Sequence, residues 1–351
     1  MLFLTSWGRF QRRFDNIIDD LNQHEEQIDR EANAYHISEA KEAREKLEAW
    51  RQDALAKLAR DEEEQTAGYL RTICTWLKQD ETDQVGILDK LSTEGTKYPE
   101  TCGWILQNPT MASWLKSQPD NPFVWLQGNP GTGKSVIVGR LVNFLRASPQ
   151  SRVLTHFCTS SYASSTQYDT FLRSLLFQLI HTTEDLIAHI YWEYVVGKKM
   201  ASNTILEQLL STAVATMLCE PGQCQVFHAF LDGLDEFETE KQHQVVRLMH
   251  KVAKGAQTRG AVFKVLISCR TSPVLEKLLR KNSLVSLSEE KDSIEEAIRS
   301  YAGYRLAADS YRLSQLGLCA SDLSDIGASI ARKADGLSTL RPFMTYRRIN
   351  Q

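Results

Sequence analysis

Residues 123–135 read Phe-Val-Trp-Leu-Gln-Gly-Asn-Pro-Gly-Thr-Gly-Lys-Ser, an apolar run that feeds a glycine-rich turn closing on Lys134 and Ser135. From Gly128 to Ser135 the pattern G-x-x-x-x-G-K-[ST] is complete, and Val136–Leu145 behind it is apolar enough to be the helix such a loop must open. The spacing follows from the chemistry. Gly131 and Gly133 let the backbone bend with no Cβ in the way, so that successive N–H groups point at phosphates. Lys134 then reaches the β and γ oxygens, and Ser135 offers a hydroxyl to Mg²⁺, a cation that takes hard oxygen ligands. Gly128, Asn129, Pro130, Gly131, Thr132, Gly133, Lys134, Ser135 and Val136 are therefore the expected cofactor-binding residues, for ATP or GTP with Mg²⁺.

A second strand completes the site. Val226-Phe-His-Ala-Phe-Leu-Asp-Gly-Leu-Asp-Glu236 is an apolar run that delivers acids at its C-terminal end, where ligands sit in open α/β sheets. Asp232 is expected to hold the metal together with Ser135, while Asp235 or Glu236 positions or deprotonates the attacking water. The next apolar run, Phe263–Arg270, ends in a polar residue and an arginine on the same rim. Arg270 is the expected γ-phosphate sensor, because its planar guanidinium bridges phosphate oxygens as lysine cannot. Asp235, Glu236 and Arg270 are thus the catalytic candidates.

Around these motifs, apolar runs at 153–158, 226–231, 262–268 and 284–287 alternate with helical patterns at 168–181, 204–219, 240–255 and 272–281. That alternation predicts an α/β fold, a three-layer αβα P-loop NTPase core with a mostly parallel sheet. Two short helices are expected within 98–125, and the segment 98–104 is the expected site of base contacts. The polar stretch near 92–101 reads as a linker.

The first hundred residues differ in character. They hold 14 Lys and Arg against 22 Asp and Glu, whereas the remainder is mildly basic. Residues 9–35 place Phe10, Phe14, Ile17, Ile18, Leu21, Ile28 and Tyr35 mostly at three- and four-residue steps, an amphipathic helix. Residues 38–68 repeat the theme with Ala43, Leu47, Trp50 and Ala54, and a third helix is expected over 65–78. A helical hairpin or short coiled coil follows, with the acidic run 61–64 on a solvated face. The domain division is then 1–97 helical, 98–290 nucleotide-binding core and 291–351 a partial helical lid.

Neither half carries the dense basic surface or the interleaved aromatic and basic residues of nucleic-acid binders, so no nucleic-acid partner is expected. Seven cysteines without paired C-x-x-C spacing suit reduced thiols rather than zinc or a disulfide framework. No apolar run reaches the roughly 20 residues of a membrane span, and a cytoplasmic protein is expected. The stripe on the first helix is expected to pack in a helix bundle rather than on lipid.

These pieces together resemble the NACHT family of signal-transducing P-loop NTPases, and most closely its fungal branch. The resemblance rests on 101–106 with Trp114-Leu115 ahead of the loop, on Leu126–Ser135, on 172–179, on Phe230–Glu236 with the small Gly233 after the metal aspartate, on Leu266–Arg270, and on 330–336. It implies a nucleotide-controlled switch in self/non-self recognition or regulated cell death, with protein partners or self-oligomerisation through the N-terminal helices. Slow hydrolysis is implied, with a non-hydrolysing nucleotide-binding scaffold as the alternative. A metabolic P-loop kinase is disfavoured, since no arginine-rich lid follows the second motif. Members of the family continue into a winged-helix domain and a repeat sensor. Here 337–348 breaks that course, and a truncated relative is the expectation.

Overall fold

The computed structural model describes residues 3–32, 37–78, 82–97, 101–116, 121–149, 151–181, 184–217, 226–258, 261–308 and 320–333. The expectations for 337–351 and for Tyr35 and Tyr98 lie outside them, as do Cys219, Cys224 and Cys319. Cys74, Cys102, Cys158 and Cys269 are free thiols. No described helix is long and apolar enough to cross a membrane.

The chain forms two compact units, one of residues 1–78 with 179–201 and one of 79–178 with 202–351. The first is helical. Helices α1 (Phe3–Ala32) and α2 (Ile37–Leu77) pack together, and α1 buries Leu21 while Phe14, Ile17, Ile18 and Ile28 are half-buried. The expected break between 38–68 and 65–78 is absent. Gly68 sits inside one continuous helix, where a Cβ would meet nothing within 4 Å, so the glycine costs helix propensity without imposing a turn. The helix stops at Lys78, whose φ of 51° is left-handed and whose N–H closes on the Cys74 carbonyl. Onto its end packs a segment the sequence did not announce, helix α7 (Glu184–Ile190) and the π-helical turn Tyr191–Val196. Tyr69 stacks on Tyr191 with centroids 3.9 Å apart, and the Trp76 indole N–H donates to the Lys199 carbonyl at 2.8 Å.

The second unit holds β1 (Phe123–Gln127), β2 (Ser151–Phe157), β3 (Val226–Asp232), β4 (Val262–Cys269) and β5 (Ser283–Ser286). All pairings among them are parallel, in the order β2-β3-β4-β1-β5. Alternation along each strand explains the layers. Val124, Leu126, Phe157, Phe230, Leu266 and Val285 enter one core with helix α5 (Lys134–Arg146) and with α4 (Pro109–Leu115). Residues one step along face the other way. There Phe123 stacks on His250 of the helix Thr239–Gln257 at 4.0 Å, and His156 meets Phe171 of α6 (Tyr168–Ile180) edge-on. The expected α/β architecture with helices on both faces is thus present.

The stretch read as a linker is helical as far as Lys97, the end of α3 (Thr82–Lys97). Helix α3 packs against α5 and β2 and covers an open sheet edge. Strand β2 is an edge strand, and two glutamines act there as a substitute neighbour. Gln84 accepts from the Phe157 N–H and donates to its carbonyl, at 2.8 and 2.9 Å. Gln178 of α6 does the same for Thr155, both at 2.8 Å. Each amide satisfies two backbone groups that would otherwise be left open on a buried edge. Gln84→Ala and Gln178→Ala are expected each to cost about 1–3 kcal/mol, read as a lower urea midpoint with unchanged slope.

Candidate functional site

The strand registers assemble one rim. Asp232 at the end of β3 pairs with Phe157 of β2 and with Ser268 of β4, while Ser268 and Cys269 pair with Leu126 and Gln127 of β1. The phosphate loop therefore leaves β1 one strand away from Asp232, with Ser268 between them.

Gly131 and Gly133 have φ of 81° and 83°, the left-handed region where L side chains are disfavoured, and Gly133 is the N-cap of α5. The loop N–H groups and the N-terminus of α5 form a concave positive end, the arrangement that accepts phosphate. Lys134 donates to the carbonyls of Gly128 and Asn129, both at 2.8 Å. Desolvation pulls its pKa down, and the nearby Asp235 and Asp232 charges pull it back up.

A cavity of about 920 Å³ opens here. Of the expected cofactor-binding residues, Pro130, Gly131, Gly133, Lys134, Ser135 and Val136 line it. Gly128, Asn129 and Thr132 brace the loop behind the wall, Thr132 through a 2.9 Å bond from its hydroxyl to the Asn129 carbonyl. Asp232, Asp235, Glu236 and Arg270 line the same cavity, so the structure brings all the acidic and basic candidates together.

Asp232 is buried, and desolvation raises its carboxyl pKa against the lowering effect of hydrogen bonds from Ser135 and Ser268 and of the Lys134 charge. A buried carboxylate beside a serine hydroxyl is a hard oxygen donor set that suits Mg²⁺. Gly233 follows at φ 79°, where a Cβ would lie 2.5 Å from the Cys158 carbonyl oxygen. Only glycine fits that turn. Gly233→Ala is expected to strain it by about 1–3 kcal/mol and to lower the melting temperature and ligand affinity together.

Arg270 does not stand free at the rim. Its backbone N–H donates to Asp235 Oδ1 at 2.9 Å, its Nε donates to Asp235 Oδ2, and its Nη2 donates to Glu236 Oε1 at 3.0 Å.

Other lining residues went unread in the sequence. Ile87, Lys90 and Leu91 reach the cavity from α3, and Thr159–Tyr162 from the loop after β2. The apolar spacing of α3 was its signal, diluted by Gly86 and by the polar stretch after Leu91. The described part of the segment expected to contact the base, Thr101–Trp104, is not on this wall. Cys102 and Ile105 are instead drawn into the core, which turns that segment inward.

Residues 100–270 match the family model described as Nephrocystin 3, N-terminal, a stretch that contains every candidate residue above. The chain is also 24% identical over 220 residues to the vegetative incompatibility protein HET-E-1 of Podospora anserina, a match covering 61% of this chain and 16% of that relative.

Proposed function

From this chain's relation to NACHT-type proteins, and to a fungal one in particular, we propose that it binds a magnesium nucleoside triphosphate and serves as a nucleotide-dependent signalling switch. One observation carries the reading: a loop with two left-handed glycines, a lysine folded onto the loop carbonyls and a half-buried Ser135 bonded to the buried Asp232 share one cavity. Ser135 and Asp232 would hold Mg²⁺, which supplies charge neutralisation of the β and γ oxygens when bound. Lys134 and the loop N–H groups orient the phosphates, Arg270 reads the terminal one, and Asp235 or Glu236 orients water. The relative's description as a vegetative incompatibility protein supports a role in self/non-self recognition or regulated cell death; a cytoplasmic location, with self-association or protein partners engaged through α1 and α2, belongs to the same proposal.

Identification of nucleotide co-purified with the chain tests this, since it reports binding, base and phosphate number at once. A diphosphate or triphosphate at near-stoichiometric amount is expected. A chain purified without nucleotide that also fails to take up ATP or GTP with Mg²⁺ refutes the reading.

One observation favours the non-hydrolysing scaffold as a second reading: both candidate water-orienting carboxylates are engaged by Arg270. Phosphate release separates the two. The switch predicts slow release that falls in an Asp235→Asn/Glu236→Gln double variant, whereas the scaffold predicts no difference.

A further inference from the structure

Asp235 and Glu236 are neighbours in the chain, yet they grip Arg270 unequally. Asp235 accepts two bonds, from the Arg270 backbone N–H at 2.9 Å and from Nε. Glu236 accepts one, from Nη2 at 3.0 Å. The Asp235 side chain is 11% exposed and that of Glu236 is 28% exposed. A backbone bond cannot be broken by swinging the arginine side chain, so Asp235 ties the turn after β3 to the end of β4 whatever the guanidinium does. Glu236 holds only the outer edge of the fork.

We propose that Asp235 is a positioning residue that brackets Arg270 at the cavity rim, while Glu236 is a releasable arm whose place on Nη2 is taken by the terminal phosphate of a bound triphosphate. This rests on the nucleotide-binding reading. The planar guanidinium presents its donors in a fixed fork, so Nε stays on Asp235 while the Nη edge exchanges one anion for another. A terminal phosphate carries more charge than a carboxylate and displaces it; a diphosphate has no group there, and the Glu236 bond persists. The freed Glu236 then faces the cavity among Asp232 and Asp235, where repulsion between like charges keeps it turned toward water or cation. Discrimination between triphosphate and diphosphate therefore resides in this exchange, and Asp235 sets it without touching the nucleotide.

The test measures dissociation constants for a slowly hydrolysed triphosphate analogue and for the diphosphate, in adenine and guanine series with Mg²⁺. D235N and R270A are each expected to lower the triphosphate preference about tenfold, the size of one charge-assisted bond. The D235N/R270A double variant should fall no further than R270A alone, because both act through one group. E236Q should leave the preference intact or raise it. Should D235N fail to fold, R270K carries the test, since it keeps the charge but not the fork and is expected to lose the preference. A wild-type preference in D235N or R270K, or an equal loss in E236Q, overturns the bracket while leaving nucleotide binding standing. A wild-type chain that binds neither nucleotide overturns the underlying reading as well.

Discussion

A Lys134→Ala chain is expected to bind labelled nucleotide in Mg²⁺ roughly 100-fold more weakly than wild type, with little change in unfolding midpoint. Two charge-assisted bonds to phosphate, each at the low end of their range at about 1.5 kcal/mol, account for that loss. The fold is expected to survive because Lys134 makes its bonds to Gly128 and Asn129 carbonyls at the cavity wall and supports no core contact. Desolvation depresses its pKa and the Asp235 and Asp232 charges offset only part of that, so removing the ammonium relieves a penalty that a bound anion would offset further. Equilibrium titration with a fluorescent nucleotide, beside a urea melt of the same preparation, checks both halves. Unchanged affinity would mean that this loop is not a phosphate cradle, however well it matches one.

That loop was legible because its chemistry is local: the glycines, lysine and serine it needs are consecutive, and Gly131 and Gly133 have the left-handed backbone that only the absence of a Cβ makes easy. The strands were legible for a related reason. Buried on both faces, they read as continuous apolar runs, and β2 and β5 fall within two residues of the expected 153–158 and 284–287. What escaped was non-local. The role of Gln84 and Gln178 lies in backbone groups of an edge strand far away in the chain, which no periodicity announces. The pairing of Arg270 with Asp235 and Glu236 is of the same kind: all three were expected at the nucleotide, but nothing in their spacing announces that they bond to one another across the β3–β4 rim. Helix α3 was missed on composition, its apolar positions being thinned by glycine, and with it went one wall of the cavity. The helices expected over 38–68 and 65–78 are one, since Gly68 lowers helix propensity but nothing near it requires a turn.

The second large effect concerns acid. His156 on β2 is fully buried, and desolvation lowers its pKa to about 4 although the Ser165 carbonyl accepts a bond from it. His228 on β3 is 2% exposed beside the edge of Trp114, and desolvation together with the Lys264 charge lowers its pKa to about 3. Both rings are neutral in the folded chain and protonate near 6.5 once unfolded. Their contribution to stability is therefore complete above about pH 6.5 and is lost as the pH falls toward the folded values. At about pH 5 each has given up about 2 kcal/mol, and the pair about 4, a large part of an ordinary folding free energy. Asp232 acts in the opposite sense, because its raised pKa favours the folded state in acid. That term is common to wild type and variants and cancels between them. Urea midpoints at about pH 7.5 and about pH 5 are expected to separate widely in wild type, and His156→Gln and His228→Leu should each narrow the gap by about 2 kcal/mol. A variant can be less stable at both pH values and still meet this expectation, since the gap and not the level reports the proton. If both variants keep the wild-type gap, these histidines do not set the acid limit, and carboxylates bonded in the folded state become the group to substitute next.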